Sequence, residues 1–399
     1  MARFATGVVI VGGSAAGLSA ADGLREGGYT GSITIVDENL EPGFDRPMLS
    51  KGLLASSDAA PAPLRTPQRL EDQAVTVLPG HRAMGLDIDR RLVVTSYGEA
   101  IPYEQVVIAS GVDARRMVTT SGDALPALRT LADLETVRAM VADGGPLTIV
   151  GGGYIGLEAA AALRPCGSEV TVLCPSDLPL VGVLGPLVAG WLRDRHLEAG
   201  VRLELGARVR TVEDTPGGYR LTLADGRVTT AHHVLAGVGT EPNTEWLIGS
   251  GVALDDGILT DAAGRTNVPG VWAAGDVAAS LRPDTSEHRR VEHWTRAIEH
   301  GRRVGLNIAR GEAVAPDAVP YVWTEQPGTT LHLFGERHAD DEDLLVRGSL
   351  ASGEFVVLHG RDGELHAVTL SGFPAEARTY KRLLRSRATL ADALDVART

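Results

Sequence analysis

Two glycine-rich turns carry the residues of this chain whose types and spacing suit phosphate binding. The first follows the apolar run of residues 8–11 and reads Gly12-Gly13-Ser14-Ala15-Ala16-Gly17. Glycine at the first position permits a tight turn, small residues let the backbone approach a pyrophosphate, and the next helix offers free N–H groups to the phosphates. Because Ser14 replaces the middle glycine of the usual fingerprint, an ordinary tight turn between strand and helix stays open as the alternative.

The second turn repeats the first near the middle of the chain. It follows residues 147–150 and reads Gly151-Gly152-Gly153-Tyr154-Ile155-Gly156, with every glycine of the fingerprint in place. Two such copies imply two dinucleotides in one protein. We expect FAD at the first copy and a nicotinamide nucleotide at the second.

An acidic residue about twenty positions beyond such a turn can accept hydrogen bonds from both hydroxyls of an adenosine ribose. In the first module Asp37 and Glu38 follow the predicted strand of residues 33–36, with a solvated strand end as the alternative. In the second module the predicted strand of residues 169–173 is followed by Cys174. Since a thiol cannot replace a bidentate carboxylate, we expect the adenosine to be held weakly there.

Composition and charge exclude several classes of partner. The 399 residues carry 38 lysines and arginines against 51 aspartates and glutamates, so at a net charge of −13 no global positive field attracts nucleic acid or an anionic membrane. No apolar run approaches the ~20 residues of a membrane span, and we expect no signal peptide. The two cysteines, Cys166 and Cys174, have no metal-ligand or C-x-x-C spacing, so we expect no metal site and a cytoplasmic protein.

Hydrophobic patterning predicts the elements that position these residues. A β-branched run before each turn and an Ala/Leu-rich segment after it predict strand–turn–helix units. The helices cover residues 18–27 and 157–163, and the second ends early because Pro165 cannot continue it. Asp225-Gly226 predicts the turn of a hairpin.

The C-terminal part has a different pattern. The runs of residues 355–359 and 366–370 predict strands of an antiparallel sheet, and residues 383–397 predict a closing helix. The fold class is therefore α/β, with two Rossmann-like dinucleotide-binding domains and a small C-terminal α+β domain.

A resemblance to a known family lies in residues 44–51. They read Phe-Asp-Arg-Pro-Met-Leu-Ser-Lys and resemble the Arg-Pro-Pro-Leu-Ser-Lys segment of the FAD-dependent, NADH-using ferredoxin reductases, with Met48 at the second proline. Those reductases serve bacterial P450 and Rieske dioxygenase systems. The resemblance implies that the Arg46-Pro47 turn lies over the FAD and that Lys51 sits beside the isoalloxazine ring; a surface lysine is the alternative.

The resemblance extends over nearly the whole chain and implies contacts to both nucleotides. Besides the first turn, Asp37 and Glu38, the residues it assigns to FAD are Ala83, Ala109, Ser110, Gly111, Arg129, Gly275, Asp276, Trp294, Trp323 and Gln326. Those it assigns to the nicotinamide nucleotide are Gly151, Gly153, Tyr154, Ile155, Gly156, Glu158, Gly237, Val238 and Gly239.

The resemblance also implies two catalytic residues. Glu158 would approach the flavin edge and pair with Lys51, so we expect an ion pair at the face of hydride transfer. A cation near flavin N5 favours the reduced, anionic flavin electrostatically. The alternative for Glu158 is a surface carboxylate near a helix N-terminus.

Departures from the family concern the nicotinamide nucleotide. Cys174 stands where relatives have an acid, and Leu178 and Gly182 stand where relatives carry arginine. Because no nearby arginine marks a site for a 2′-phosphate, we expect NADH to be preferred, without excluding NADPH, and a raised KM for either.

These features predict hydride transfer from NADH to FAD and single-electron transfer to a small acidic [2Fe-2S] or similar ferredoxin serving an oxygenase such as a P450. The expected domains are 1–113 with 241–318 for FAD, 114–240 inserted for the nucleotide, and 319–399 at the C-terminus, in a monomer or weak dimer. Arginines that form a candidate docking surface, with a solvated helix face as the alternative, are Arg282, Arg289, Arg290, Arg296, Arg302 and Arg303.

Two alternatives stay open. A slow redox-sensing or NADH oxidase-type flavoprotein, resembling apoptosis-inducing factor, is compatible with the weakened nucleotide site. A disulfide or peroxide reductase is disfavoured, because such enzymes place a redox cysteine near the flavin and this chain has no cysteine before Cys166.

Overall fold

The computed structural model describes residues 4–41, 43–56, 59–282 and 285–397. Contacts divide the chain into two compact units. The first contains Met1–Asp45, Pro61–Asp113 and Thr240–Ala318, and the second contains Arg46–Ala60, Ala114–Gly239 and Val319–Thr399. Residues 46–60, which the sequence analysis places in the FAD domain, are thus grouped with the second unit. The three-domain division itself stays a prediction.

The strands are β1 Gly7–Val11, β2 Ile33–Asp37, β3 Val75–Pro79, β4 Ala83–Asp87, β5 Leu92–Thr95, β6 Ala100–Ile108, β7 Val112–Ala114, β8 Leu147–Val150, β9 Val170–Leu173, β10 Arg202–Glu204, β11 Val209–Thr215, β12 Gly218–Leu223, β13 Val228–Ala231, β14 His233–Ala236, β15 Thr240–Pro242, β16 Leu254–Asp255, β17 Gly257–Thr260, β18 Val271–Ala273, β19 Ala278–Leu281, β20 His288–Arg289, β21 Tyr321–Gln326, β22 Thr329–Gly335, β23 Glu342–Ser349, β24 Glu354–Arg361 and β25 Glu364–Ser371. The α-helices are α1 Ala15–Glu26, α2 Gly52–Ala55, α3 Pro67–Asp72, α4 Leu131–Asp143, α5 Tyr154–Leu163, α6 Val181–Glu198, α7 Trp294–Arg310, α8 Ala377–Arg385 and α9 Leu390–Ala397.

The first unit is built on a sheet with the order β3-β2-β1-β6-β5-β4, to which β18 adds by pairing with β6. Strands β1, β2, β3, β6 and β18 pair with one another in parallel, with Val9 opposite Thr34 and Val106, whereas β5 pairs antiparallel with β6 and β4. The apolar runs of β1 and β2 are buried along their whole length, as expected for parallel strands covered on both faces. Helices α1 and α7 pack on each other beside this sheet.

The second unit contains a parallel sheet, β10-β9-β8-β14, and an antiparallel sheet, β11-β12-β13. The turn of the predicted hairpin is confirmed, because β12 and β13 flank Asp225-Gly226. An antiparallel sheet with the order β21-β22-β25-β24-β23 forms the C-terminal part and confirms that prediction. The predicted α/β class is thus confirmed, and in each of the two sheets that contain parallel strands one strand, β1 or β8, leads into a glycine turn.

The two helices predicted after the glycine turns are present, but each begins three residues earlier than predicted, at Ala15 and at Tyr154. The helix after the second turn ends at Leu163, before a 3-10 turn that contains Pro165, as predicted. The single helix expected over residues 383–397 is wrong, because α8 ends and α9 begins within that range. Arg387 takes a left-handed φ of 52°, and Thr389 caps α9 through reciprocal hydrogen bonds with Asp392. Among the described residues, none of the helices combines the length and the apolar character that crossing a bilayer requires.

Candidate active site

The first glycine turn joins β1 to α1 at the carboxyl edge of the parallel sheet in the first unit. Gly12 has a φ of 108°, and a Cβ there would overlap the carbonyl oxygen of Ala109, so a side chain is excluded on two grounds. Ser14 is the N-cap of α1, and its side chain makes no capping hydrogen bond, so the first N–H groups of the helix are left for another acceptor.

Asp37 lies beside this turn, since a Cβ on Gly13 would overlap its carboxylate. The side chain is buried, and its Oδ1 accepts hydrogen bonds from the backbone N–H of Asn39 at 3.2 Å and from Asn39 Nδ2 at 2.9 Å. Glu38 is exposed, and its Oε2 lies 3.7 Å from Nε of Arg82. Asp37 is therefore the better placed of the two predicted acids.

Several other predicted residues of the first unit lie at the same edge. Ala109 follows β6, and Gly275 follows the neighbouring strand β18. A Cβ on Gly275 would contact the Cβ of Ala16, so the Gly275-Asp276 turn lies beside the start of α1. Ser110 and Asn243 exchange two hydrogen bonds of 2.9 and 3.1 Å, which join the end of β6 to the segment after β15. Ala83 opens β4 and Trp294 opens α7.

His300 supports that turn and was missed by the sequence analysis. It is 2% exposed, and its Nδ1 accepts a hydrogen bond of 3.4 Å from the backbone N–H of Gly275. Burial, aided by the charge of Arg296, lowers the pKa of His300 to about 3, so the imidazole is neutral and its ring nitrogen can accept. A histidine within an amphipathic helix gives no sequence signal for this role.

The second glycine turn, in the second unit, repeats the geometry of the first. Gly151 has a φ of 120°, and a Cβ there would overlap the carbonyl oxygen of Gly237. In the same way, a Cβ on Gly12 would overlap the carbonyl oxygen of Ala109. A Cβ on Gly152 would overlap Sγ of Cys174, just as a Cβ on Gly13 would overlap the carboxylate of Asp37. The structure therefore places the Cys174 thiol where the first copy has its acid, and the thiol is buried.

The Arg46-Pro47 segment forms a 3-10 turn in the second unit that delivers Ser50 and Lys51 to Glu158 of α5. Nζ of Lys51 lies 2.8 Å from Oε2 of Glu158, with side-chain exposures of 5% and 4%, so the predicted ion pair is present and buried. Ser50 Oγ donates to the same oxygen at 2.5 Å, and Nζ also donates to the carbonyl of Pro47 at 3.2 Å. Buried charges of this kind are retained only when paired and hydrogen-bonded.

The other oxygen of Glu158 is held from β21. Thr324 Oγ1 donates to Oε1 of Glu158 at 2.6 Å, and Gln326 Nε2 donates to Thr324 Oγ1 at 2.7 Å. Thr324 and Gln326 share a face of β21 because they are two residues apart. Nε2 of His196 on α6 lies 2.8 Å from Oε1 of Gln326 and must donate to it, since an amide oxygen only accepts.

We call these six residues the Glu158 network: Ser50, Lys51, Glu158, His196, Thr324 and Gln326. All of them are buried. Desolvation lowers the pKa of His196, so the imidazole is neutral. Ser50 lies inside the motif of residues 44–51, and Thr324 lies between the assigned residues Trp323 and Gln326, but His196 lies within a helix, where no spacing pointed to it.

Two aromatic residues border the network. Nζ of Lys51 lies 5.8 Å from the ring centroid of Trp323, within the range of a cation–π contact. Burial, with the nearby charge of Glu158, raises the pKa of Tyr154 well above its ordinary value, so this phenol stays neutral. Arg129 directly precedes Thr130, the N-cap of α4. The contacts of Trp323, Tyr154 and Arg129 with a cofactor stay predictions.

The candidate docking arginines are less available than the sequence suggests. Arg290 pairs with Asp256 at 3.0 Å and with Glu292, and Arg302 pairs with Glu26. Arg296 is only partly exposed, and desolvation lowers the pKa of its guanidinium. The positive charge expected on this surface is therefore partly neutralised or buried.

Family models cover almost all of the chain. Residues 6–301 match pyridine nucleotide-disulphide oxidoreductase, and residues 321–397 match reductase C-terminal. The biphenyl dioxygenase system ferredoxin–NAD(+) reductase component of Paraburkholderia xenovorans (strain LB400) is 33% identical over 387 residues, which are 96% of this chain and 94% of that protein. Putidaredoxin reductase of Pseudomonas putida is 32% identical over 389 residues, which are 95% of this chain and 92% of that protein.

Solved structures of ferredoxin reductases have the same fold as this chain. The ferredoxin reductase for the CYP199A2 system from Rhodopseudomonas palustris has a TM-score of 0.90 at 29% identity, covering 97% of this chain and 96% of that chain. In the covalent putidaredoxin reductase–putidaredoxin complex the matched chain has a TM-score of 0.89 at 30% identity, covering 98% of this chain and 96% of that chain. From its two glycine-turn modules, its family models and its relatives, the chain belongs to the pyridine nucleotide-disulphide oxidoreductase family, among the FAD-dependent ferredoxin reductases.

Proposed function

We propose that this chain is a reductase that takes electrons from NADH through bound FAD and delivers them one at a time to a ferredoxin. Bound FAD supplies the chemistry that links a two-electron hydride donor to one-electron acceptors. The observation that carries the proposal is the buried pair of Lys51 and Glu158 in a chain that also has two glycine turns of the dinucleotide type.

The first turn has the properties that a pyrophosphate needs. Gly12 and Gly13 leave open the volume that a Cβ would fill, and α1 begins with N–H groups that its N-cap side chain leaves unbonded. The Asp37 carboxylate beside the turn suits the ribose hydroxyls. These features support FAD at the first copy, with the contacts that the family resemblance assigns.

Lys51 is proposed to act on the flavin through a free N–H group. An ammonium has three N–H donors, and in the described part of the chain Nζ uses two of them, one for Glu158 and one for the carbonyl of Pro47. One donor is left for a flavin atom. Glu158 keeps Lys51 charged and oriented, and Ser50, Thr324, Gln326 and His196 orient Glu158 in turn.

The nicotinamide nucleotide is proposed to bind at the second turn, through Gly151, Gly156 and the start of α5. At the proposed ribose position stands the thiol of Cys174 instead of a carboxylate, which supports weak binding of the adenosine. Because no arginine occupies positions 178 and 182, where a guanidinium could bind a 2′-phosphate, we propose a preference for NADH over NADPH.

Ferredoxin as the electron acceptor is supported by the relatives, several of which are named as ferredoxin reductase components of dioxygenase systems. The solved complex of putidaredoxin reductase with putidaredoxin supports it too. We propose a small acidic [2Fe-2S] ferredoxin that serves an oxygenase such as a P450. Two free cysteines, exposed Cys166 and buried Cys174, support a location in the reducing cytoplasm.

Anaerobic titration of the flavin with NADH and with NADPH tests the first half of the proposal. Stoichiometric bleaching of the flavin by NADH is the expected result. Steady-state reduction of a [2Fe-2S] ferredoxin tests the second half, and turnover on the scale of ordinary enzymes, above about 1 s⁻¹, is expected. Flavin reduction without ferredoxin turnover would instead support the slow redox-sensing alternative. Sedimentation at several protein concentrations checks the expected monomer or weak dimer.

A further inference from the structure

Three side chains of the second unit, away from the Glu158 network, face one another with ligand-type atoms. Asp143 is the last residue of α4, and His232 and His233 lie at the corner between β13 and β14. Oδ2 of Asp143 lies 3.6 Å from Nε2 of His232 and 3.4 Å from Nε2 of His233. We call these residues the Asp143 cluster.

The spacing of the cluster matches a metal coordination sphere. Metal–ligand bonds of about 2.0–2.1 Å in a tetrahedral site place neighbouring ligand atoms roughly 3.3–3.4 Å apart. The two distances from Asp143 to the imidazole nitrogens are close to that value, and the ligand atoms of all three residues lie within 4.8 Å of one another. Hydrogen bonds alone do not require two imidazoles to converge on one carboxylate oxygen.

The tautomer of His232 is set by a contact outside the cluster. Its Nδ1 lies 3.1 Å from the carbonyl oxygen of Gly217, and because a carbonyl only accepts, Nδ1 carries the proton. In the neutral ring, Nε2 then presents its lone pair on the side of Asp143. A metal-binding histidine usually has its second nitrogen held by a carbonyl or carboxylate in this way.

The charge distribution also favours a cation. Asp143 lies at the C-terminal end of α4, where the helix dipole carries a partial negative charge. The dipole repels the carboxylate of Asp143, and a cation bound there would be attracted by both negative charges. The carbonyl oxygen of Gly144 lies 3.0 Å from Nε2 of His233 and accepts a hydrogen bond from it when no metal is bound. A metal ion bound at Nε2 would displace that proton and would find the carbonyl oxygen beside it as a further oxygen ligand.

We propose that the Asp143 cluster binds one divalent transition-metal ion of the zinc type. Two imidazoles with one carboxylate suit Zn²⁺, Ni²⁺ or Cu²⁺, whereas Ca²⁺ and Mg²⁺ prefer oxygen ligands alone. The exposure of Asp143 and His232 leaves room for water in the remaining positions. The ion links the end of α4 to the β13–β14 corner, so its role is to stabilise the second unit.

Zinc titration of the untagged, FAD-loaded protein tests the site. A Cys166→Ser background removes the exposed thiol as a competing ligand. Competition with a chromophoric chelator measures the Kd for Zn²⁺ in the parent and in His232→Ala, His233→Ala and Asp143→Asn. His288→Ala, which removes an exposed histidine of the first unit, is the matched control.

One zinc ion per chain is expected in the parent and in His288→Ala, with binding at least about tenfold weaker in each cluster variant. The rise of Tm with zinc should disappear in the same variants. Equal zinc affinity in the parent and in the His232→Ala/His233→Ala double variant would overturn the proposal. No zinc binding by the parent would also overturn it, and would leave the cluster as direct contacts between the two imidazoles and Asp143.

Discussion

Asp37 and Cys174 occupy equivalent positions in two copies of one structural unit. Asp37 is the last residue of β2 and Cys174 directly follows β9, which are the second strands of their modules, and each lies against the second glycine of its turn, Gly13 or Gly152. The backbone geometry has been kept in both copies, while the acid has been kept in only one. At this position the two copies therefore differ in side-chain chemistry, with a carboxylate in the first and a thiol in the second.

Restoring an acid at the second copy should strengthen NADH binding. In Cys174→Asp, a carboxylate is available to both ribose hydroxyls, and hydrogen bonds to a charged group contribute about 1.5–3 kcal/mol. The Kd for NADH should fall by about tenfold or more, while that for NADPH should not improve, because the carboxylate repels a 2′-phosphate. Titration of each variant with both nucleotides measures this. Cys174→Ser is the control, and an equal Kd in Asp and Ser variants would contradict the assignment.

Removing the cation of the buried pair separates stability from catalysis. Lys51→Met leaves Glu158 buried without its partner, so the free energy of unfolding should fall by about 3–5 kcal/mol. In the double variant Lys51→Met/Glu158→Gln no uncompensated charge is left, and most of this stability should return. Flavin reduction by NADH should stay slow in both variants, because the N–H donor of Lys51 is absent.

Urea unfolding measures the first quantity and anaerobic stopped-flow spectroscopy the second. Flavin reduction at the parent rate in the double variant would argue against a role for Lys51 in hydride transfer.

Thr324 should be a positioning residue for Glu158. Thr324→Val removes the donor to Oε1 of Glu158 and the acceptor for Nε2 of Gln326, so we expect a loss of about 1–3 kcal/mol in the free energy of unfolding. Thr324→Ser keeps the hydroxyl and should retain most of the stability and the reduction rate. If Thr324→Ser loses as much as Thr324→Val in both measurements, the methyl group and its packing matter instead of the hydrogen bonds.

His300 should make the protein sensitive to acid. Its pKa is about 3 in the folded protein and about 6.5 when unfolded, so below pH 6.5 the unfolded state binds a proton that the folded state does not. Stability is complete above pH 6.5 and falls by about 1.4 kcal/mol per pH unit as the pH drops toward 3. His300→Gln keeps an acceptor for the N–H of Gly275 and should remove this contribution to the slope.

Urea unfolding of the parent and of His300→Gln between pH 7.5 and 4.5 gives the difference in slope. His288→Ala, at an exposed position, is the control and should leave the slope unchanged. Parallel pH profiles for the parent and His300→Gln would rule out His300 as the group responsible.

The sequence alone determined the features that depend on local chain geometry. Only glycine tolerates the φ values at positions 12 and 151, and buried parallel strands require the apolar runs before them, so both turns and both parallel sheets were predictable. The break between α8 and α9 is also local, but helical propensity through residues 383–397 concealed the cap at Thr389.

Only the tertiary structure decided the surroundings of Glu158. Residues 50, 158, 196 and 324 lie far apart along the chain, and no periodicity connects a 3-10 turn, two helices and a strand. Their contact depends on how those elements pack, and each buried polar atom takes whichever partner the packing brings within about 3 Å. For the same reason the ion-pair partners of Arg290 and Arg302 could not be predicted from the sequence. The presence of Cys174 in place of an acid could be predicted, because the first glycine-turn module has Asp37 at the equivalent position.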